Sequence, residues 1–264
     1  MAERFCLIGL DEPEVKGIQE RVAAPLIAFE QMPRIRVRDG ELFVEPKRGP
    51  QWLPVSKVAF HSLYDNDMDF LAGLALWNGA CLPNARAMLD CRLKFPCLIR
   101  ALQYTRFGSP LRGYAAPNTP YVGEAGEELV AKWGNWHCGE NKARFTGVWK
   151  SEEACIIEKF LPGQAVRVVM IGEKYWQIKL AGEDWLKSIH APDAAFMEPD
   201  AELLADTRVL KQAFGLEIIG NDYIIEEKGA KHLLEVNHIP NVTRFPEIWT
   251  AYRDYVINWL NEKP

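Results

Sequence analysis

The chain has 264 residues, of which 48% are hydrophobic and 25% charged, and its net charge is −5. This is the composition of a globular protein with a sizeable core, and it excludes a disordered chain. It also excludes a protein that grips nucleic acid through a generally basic surface.

In chain order, Phe5 to Gly9 is a short apolar strand, and Glu14 to Val22 carries helical spacing through Val15, Ile18 and Val22. Pro25 to Phe29 is a second strand. Arg34 to Val44 alternates on both sides of Asp39-Gly40, the strongest short-range signal for a two-residue hairpin. The plain reading of its arginines is a solvated strand face. A strand is expected over Val55 to Phe60, then a helix over Asp67 to Trp77 capped by Asp65 or Asn66. A short strand in Gly79 to Asn84 closes what reads as a first α/β unit, residues 1–84.

Ala85 to Leu93, and again the stretch from Pro96 to about Tyr104, are helical, and 108–120 reads as a loop rich in Gly, Pro, Ser and Asn. Glu128 to Lys132 is a strand followed by a turn-rich loop that runs to Lys142. Ala154 to Phe160 is a strand, and Leu161 to Gln164 a turn. Ala165 to Ile171 and Lys174 to Leu180 pair across Gly172-Glu173. Ala201 to Phe214 is helical, Glu217 to Ile219 and Asp222 to Glu226 are strand-like, His232 to Val236 is a strand, and Pro246 to Leu260 carries a helical stripe. The six cysteines, at irregular separations without a Cys-x-x-Cys pair, read as reduced core thiols.

In Leu233-Leu234-Glu235-Val236-Asn237 the carboxylate and the carboxamide are two apart, so they share one face of a strand. With Asp222 on the neighbouring strand they form a set of hard oxygen donors suited to Mg²⁺ shared with phosphates. Lys132 and Lys142, at the two ends of one loop, are the cations that a polyphosphate would meet.

These residues resemble the ATP-grasp superfamily. Gly220-Asn221-Asp222-Tyr223 and Leu233 to Asn237 are similar to its metal-binding pair of strands, and the segment Lys132 to Lys142, with His137-x-Gly139 inside it, resembles the phosphate loop of synapsin-like members. Glu140 and Asn141 stand where a glycine is common. Ile157-Glu158-Lys159-Phe160 resembles the strand that meets the adenine. Val166-Arg167-Val168 and the strand of Lys179 look like the segment that faces the γ-phosphate, and Lys94 is similar in place to a nucleotide-contacting lysine. Asn237 to Asn241 is closest to ligases of the ribosomal-protein glutamate ligase and glutathione synthetase type.

The resemblance implies an α+β chain: an α/β pre-grasp domain at 1–84, a connector and central subdomain at 85–160, and a C-terminal subdomain at 161–264, the last two clamping ATP. It implies an ATP-dependent carboxylate–amine ligase that works through an acyl phosphate, with an amino acid or peptide substrate. A regulatory ATP-binding protein and a phosphotransferase are the alternatives. The implied site has Asp222, Glu235 and Asn237 on Mg²⁺ or Mn²⁺. Lys94, Lys132, His137, Gly139, Lys142, Glu158, Lys159 and Phe160 would hold the nucleotide, and Arg167 and Lys179 would act at the γ-phosphate. The expected partners are ATP and a small carboxylate with an amine or peptide, with no nucleic acid and no membrane, and a homodimer left open. The apolar run ending at Leu10 is too short for a signal peptide and no run approaches a membrane span, so a cytoplasmic location is expected.

Overall fold

The computed structural model describes residues 4–46, 49, 51–108, 111–134 and 141–262. The chain opens with β1 (Phe5–Ile8), α1 (Glu12–Gln19), β2 (Leu26–Phe29), and the strands β3 (Ile35–Arg38), β4 (Glu41–Val44) and β5 (Leu53–Val55). Then come β6 (Lys57–Phe60), α2 (Met68–Trp77) and β7 (Ala80–Leu82). Strands β2-β1-β6-β7 form a parallel sheet. Every residue of β1 and β6 is buried, as expected of a parallel sheet covered on both faces. The Asp39-Gly40 hairpin forms as its sequence dictates, with both residues at positive φ, 54° and 77°. Ser56 separates β5 from β6, so the expected Val55–Phe60 strand serves two different sheets. Asp67, not Asp65 or Asn66, is the cap residue of α2. Its carboxylate accepts from the Tyr64 amide and ion-pairs with Arg92 at 2.7 Å, both side chains being buried.

Two helices follow, α3 (Ala85–Arg92) and α4 (Lys94–Ala101), the second beginning two residues before Pro96. The central sheet is built from β8 (Arg112–Ala115), β10 (Glu128–Trp133), β11 (Lys142–Thr146) and β13 (Cys155–Lys159), in the order β11-β10-β13-β8. A two-stranded ribbon joins β9 (Tyr121–Val122) to β12 (Val148–Trp149). Strand β8 lies inside the stretch expected to be loop. Alternation divides the central sheet cleanly. Leu129, Ala131, Cys155 and Ile157 enter an apolar cluster, while the register puts Arg112, Glu158, Lys132 and Lys142 on the other face.

The third sheet contains β14 (Gln164–Ile171), β15 (Lys174–Lys179), β16 (Ala195–Met197), β17 (Ile218–Ile225) and β18 (Lys231–Asn237), in the order β16-β15-β14-β17-β18. The two short strands expected over 217–226 are one continuous β17. Helix α5 (Ala201–Phe214), capped by Asp200 and ended by Gly215 at φ 69°, packs Leu203, Leu210 and Phe214 against Val166, Val168 and Met170. Helix α6 (Pro246–Asn261) covers the other face and packs together with Phe5 and Leu7 of β1. The β17–β18 register shifts between Asp222 and Tyr223, and Leu234 is skipped in the pairing. This bulge lets Leu233 and Val236 both reach the α5 side while Glu235 and Asn237 turn to the opposite face.

The two ends of the chain are tied by Lys57. Its buried ammonium donates to the carbonyls of Trp259 (2.8 Å), Leu260 (3.0 Å) and Glu262 at the end of α6. A cation there answers both the unpaired carbonyls of the last turn and the negative end of the helix dipole. Lys57→Met is expected to lower unfolding free energy by about 1–3 kcal/mol and to speed amide exchange in the last turn of α6. Denaturant midpoints and hydrogen exchange unchanged from the parent would contradict this role.

Candidate active site

The third sheet and the loops at the carboxyl ends of β1 and β6 enclose a cleft of about 380 Å³. Gly9 permits this approach, because at φ 91° a Cβ would lie 2.4 Å from the carbonyl oxygen of His61. Ligands of open parallel sheets bind at the carboxyl ends of the strands, and here Asp11, Glu14, His61 and Ser62 line that end. The opposite wall carries Arg167, Asp222, Glu235 and Asn237. A second pocket, about 100 Å³, continues from the cleft through the shared residues Lys142, Leu180, Asp222 and Glu235. Its walls are Val130, Phe160, Leu161, Ile224 and Leu234, an apolar slot with charge at one end.

Asp222 and Glu235 face each other directly across β17 and β18, and Asn237 is opposite Gly220. Arg167 holds both oxygens of Asp222, at 2.6 and 2.7 Å, and Lys94 reaches Glu235 at 3.4 Å. Asn237 is buried, and its Nδ2 has no hydrogen-bond partner among the described residues. That orphaned N–H donor on the cleft wall fits an oxyanion. Among the described residues no group of three or more His, Cys, Asp and Glu side chains could hold a metal; beside Asp222 and Glu235 the Asn237 Oδ1 is a further hard oxygen of the kind Mg²⁺ takes.

Facing this wall, Lys132 and Lys142 sit directly opposite each other on β10 and β11. Like charges in register repel. Lys132 is relieved by Glu158, which also ion-pairs with Arg112. Burial would raise the Glu158 carboxyl, but Lys132 and Arg112 overcome that and hold it below the usual range. For Lys142, burial first and then Lys132 push its pKa down to about 8.

The structure therefore gathers Lys132, Lys142, Glu158, Arg167, Asp222, Glu235 and Asn237 around one connected space, with Lys94 behind it, tied to Glu235 but lining neither the cleft nor the slot. Phe160 lines the apolar slot, edge-on to Trp185 at 6.1 Å, and Lys159 lies at its rim, exposed. His137 and Gly139 lie outside the described residues. Lys179 corrects an expectation: β15 pairs Arg167 with Ile178, so Lys179 points to the opposite face of the sheet and lines neither the cleft nor the slot. Lys187 lines both the cleft and the slot, its Nζ 2.8 Å from the Gly182 carbonyl. Arg112 was hidden because its strand carries Gly113 and is flanked by loop composition.

No family model matches the chain. An inositol-tetrakisphosphate 1-kinase from Xenopus laevis is 22% identical over 144 residues, 43% of this chain and 36% of that protein, so the match spans about a third of that relative's length. A Chryseobacterium gregarium RiPP-associated ATP-grasp ligase, solved with ADP and a leader and core peptide, aligns over 97% of both chains with a TM-score of 0.65 at 11% identity. The ATP-grasp ligase PsnB, solved with a precursor variant, Mg and ADP, aligns over 98% of this chain and 100% of that one at TM-score 0.67 and 16% identity. D-alanyl-alanine synthetase A of Vibrio cholerae aligns over 98% and 97% of the two chains at TM-score 0.67 and 14% identity.

The chain has the ATP-grasp fold. Within this fold, the lysine-bearing central sheet and the acid-bearing third sheet are the two walls just described. No helix among the described residues is long and apolar enough to cross a membrane.

The depressed Lys142 makes a pH-dependent prediction. Its folded-state pKa of about 8 lies below a free lysine's 10.5, so between those values the unfolded chain binds more protons and this group makes stability rise with pH. Lys142→Met is expected to be more stable than the parent at pH 7, by up to about 3 kcal/mol, and to lose that advantage by pH 10. Parallel denaturant curves with a constant difference from pH 7 to pH 10 would contradict the assignment.

Proposed function

We propose that this protein is an ATP- and Mg²⁺-dependent carboxylate–amine ligase. The observation that carries the proposal is the opposition of two charge sets across one connected space. Lys132 and Lys142 press like charges together on one wall, while Asp222, Glu235 and an orphaned Asn237 amide stand on the other. A metal-bound triphosphate answers both needs at once.

In this reading residues 85–160 and 161–264 form the two halves of the clamp, with 1–84 at the acceptor end. The slot between Phe160, Leu161, Ile224 and Leu234 takes the adenine. Lys132 and Lys142 neutralise phosphate oxygens, and Arg167 acts at the γ-phosphate end. Asp222, Glu235 and Asn237 would hold Mg²⁺, which when bound spreads positive charge over the phosphoryl oxygens. Asn237 Nδ2 then donates to an oxyanion in the cleft. An acceptor carboxylate oxygen attacks the γ-phosphorus, the bond to the β-phosphate oxygen breaks, and ADP leaves. The amine nitrogen next attacks the acyl carbon, inorganic phosphate departs, and the amine proton passes to solvent or to a cleft base. Catalysis is positioning and charge neutralisation, with no side-chain nucleophile.

The acceptor end supports an amino acid or peptide. Asp11 and Glu14 can face an ammonium, Lys187 a carboxylate, and His61, pushed down to about 4 by burial, is neutral near pH 7. The structurally similar RiPP-associated ligase was solved with a leader and core peptide, which favours a peptide substrate for this cleft. The kinase relative favours a second reading, phosphoryl transfer to a hydroxyl. Two carboxylates at the acceptor end disfavour a polyanionic acceptor for it.

Purified protein with ATP, Mg²⁺ and a panel of amino acids and peptides is expected to release ADP only when carboxylate and amine are both present, with an amide as product. Asp222→Asn or Glu235→Gln should cut that rate by about 10²-fold or more. A stable phosphorylated acceptor would establish the kinase reading instead, and substrate-independent silence across the panel would contradict both.

A further inference from the structure

Arg112 is 2% exposed at its side chain, lines neither the cleft nor the slot, and so touches no ligand there. It nevertheless connects both walls. One guanidinium nitrogen ion-pairs with Glu158 on β13, and the other donates to the Leu233 carbonyl on β18, two residues before Glu235. Glu158 in turn holds Lys132. The order is therefore third sheet, Arg112, Glu158, Lys132, nucleotide space.

We infer that Arg112 is a positioning residue that shares Glu158 with Lys132 and thereby frees Lys132 to take up the nucleotide's phosphates. The physical reason lies in the burial of Glu158, which is 3% exposed. A buried carboxylate left without a cation is costly. If Lys132 were its only partner, moving the ammonium to a phosphate would strand that charge, and the ion pair would compete with the ligand. Arg112 keeps Glu158 compensated while Lys132 leaves. Because Arg112 is itself anchored on β18, the compensation is complete only when the two sheets are docked, so phosphate capture by Lys132 is linked to the clamped arrangement.

This rests on the nucleotide reading above, and a double-mutant cycle separates the two. Binding of a non-hydrolysable ATP analogue with Mg²⁺, and of adenosine alone, is measured by calorimetry for the parent, R112Q, R112K, E158Q and R112Q/E158Q. R112Q is expected to bind the triphosphate about tenfold more weakly while binding adenosine unchanged. R112K keeps the charge and stays within about threefold of the parent. In the E158Q background, where no carboxylate competes for Lys132, adding R112Q changes triphosphate binding by less than about threefold. Equal weakening of adenosine, a tenfold loss in R112K, or a tenfold loss on adding R112Q to E158Q overturns the inference while leaving the ATP-binding reading intact. R112K and the comparison of R112Q/E158Q with E158Q decide the matter even if R112Q does not fold. If the parent binds neither ligand, the inference falls together with the reading beneath it.

Discussion

Two lysines held directly opposite each other on neighbouring strands are an electrostatic burden that the rest of the site is arranged around. Lys132 and Lys142 cannot separate, because they close the same pair of strands at the ends of one loop. One is relieved by a buried glutamate and the other is left with its protonated form disfavoured. An anion between the walls would remove both problems, and the opposing wall supplies what an anionic polyphosphate brings with it, a place for a hard cation. In the proposed reading, unfavourable charge in the free protein is relieved when such a ligand binds.

That arrangement depends on phase control in two sheets. In the central sheet strict alternation sends the apolar residues to the Leu129–Ile157 cluster and the charged ones to the cleft. In the third sheet strict alternation would fail, since Leu233 must face α5 and Glu235 the cleft. The bulge at Leu234 resolves the conflict. Gly220 matters for the same wall, since a Cβ there would meet the Pro240 ring at 2.8 Å and push the turn after Asn237 away from the sheet. The N-terminal α/β unit lines one end of the cleft, and α6 returns to pack against it, with Lys57 fixing that return.

Much of this was legible in the sequence because it follows local rules. The Asp-Gly hairpin, the capped and glycine-terminated α5, and the Glu-x-Asn face of β18 all emerge as their residues dictate. What was hidden depends on partners far along the chain. Asp67 reads as the first residue of a helix capped by Asp65 or Asn66, whereas it is itself the cap, and Arg92, 25 residues away, makes it half of a buried ion pair. Strand β8 has loop composition, and only its pairing with β13 makes it a strand and brings Arg112 to Glu158. Lys179 is the instructive miss. A two-residue turn at Gly172-Glu173 already fixes Ile178 opposite Arg167, so the register carried the signal and charge alone misled.

The central claim is that a metal-bound triphosphate completes the charge balance between these walls. The melting temperature of the purified protein with a non-hydrolysable ATP analogue, with and without Mg²⁺, tests it most directly when set beside the variant carrying both Lys132→Met and Lys142→Met. A rise of several degrees that needs Mg²⁺ and vanishes in the double lysine variant is the expected result. A melting temperature indifferent to nucleotide and Mg²⁺, or a rise that survives loss of both lysines, would contradict it.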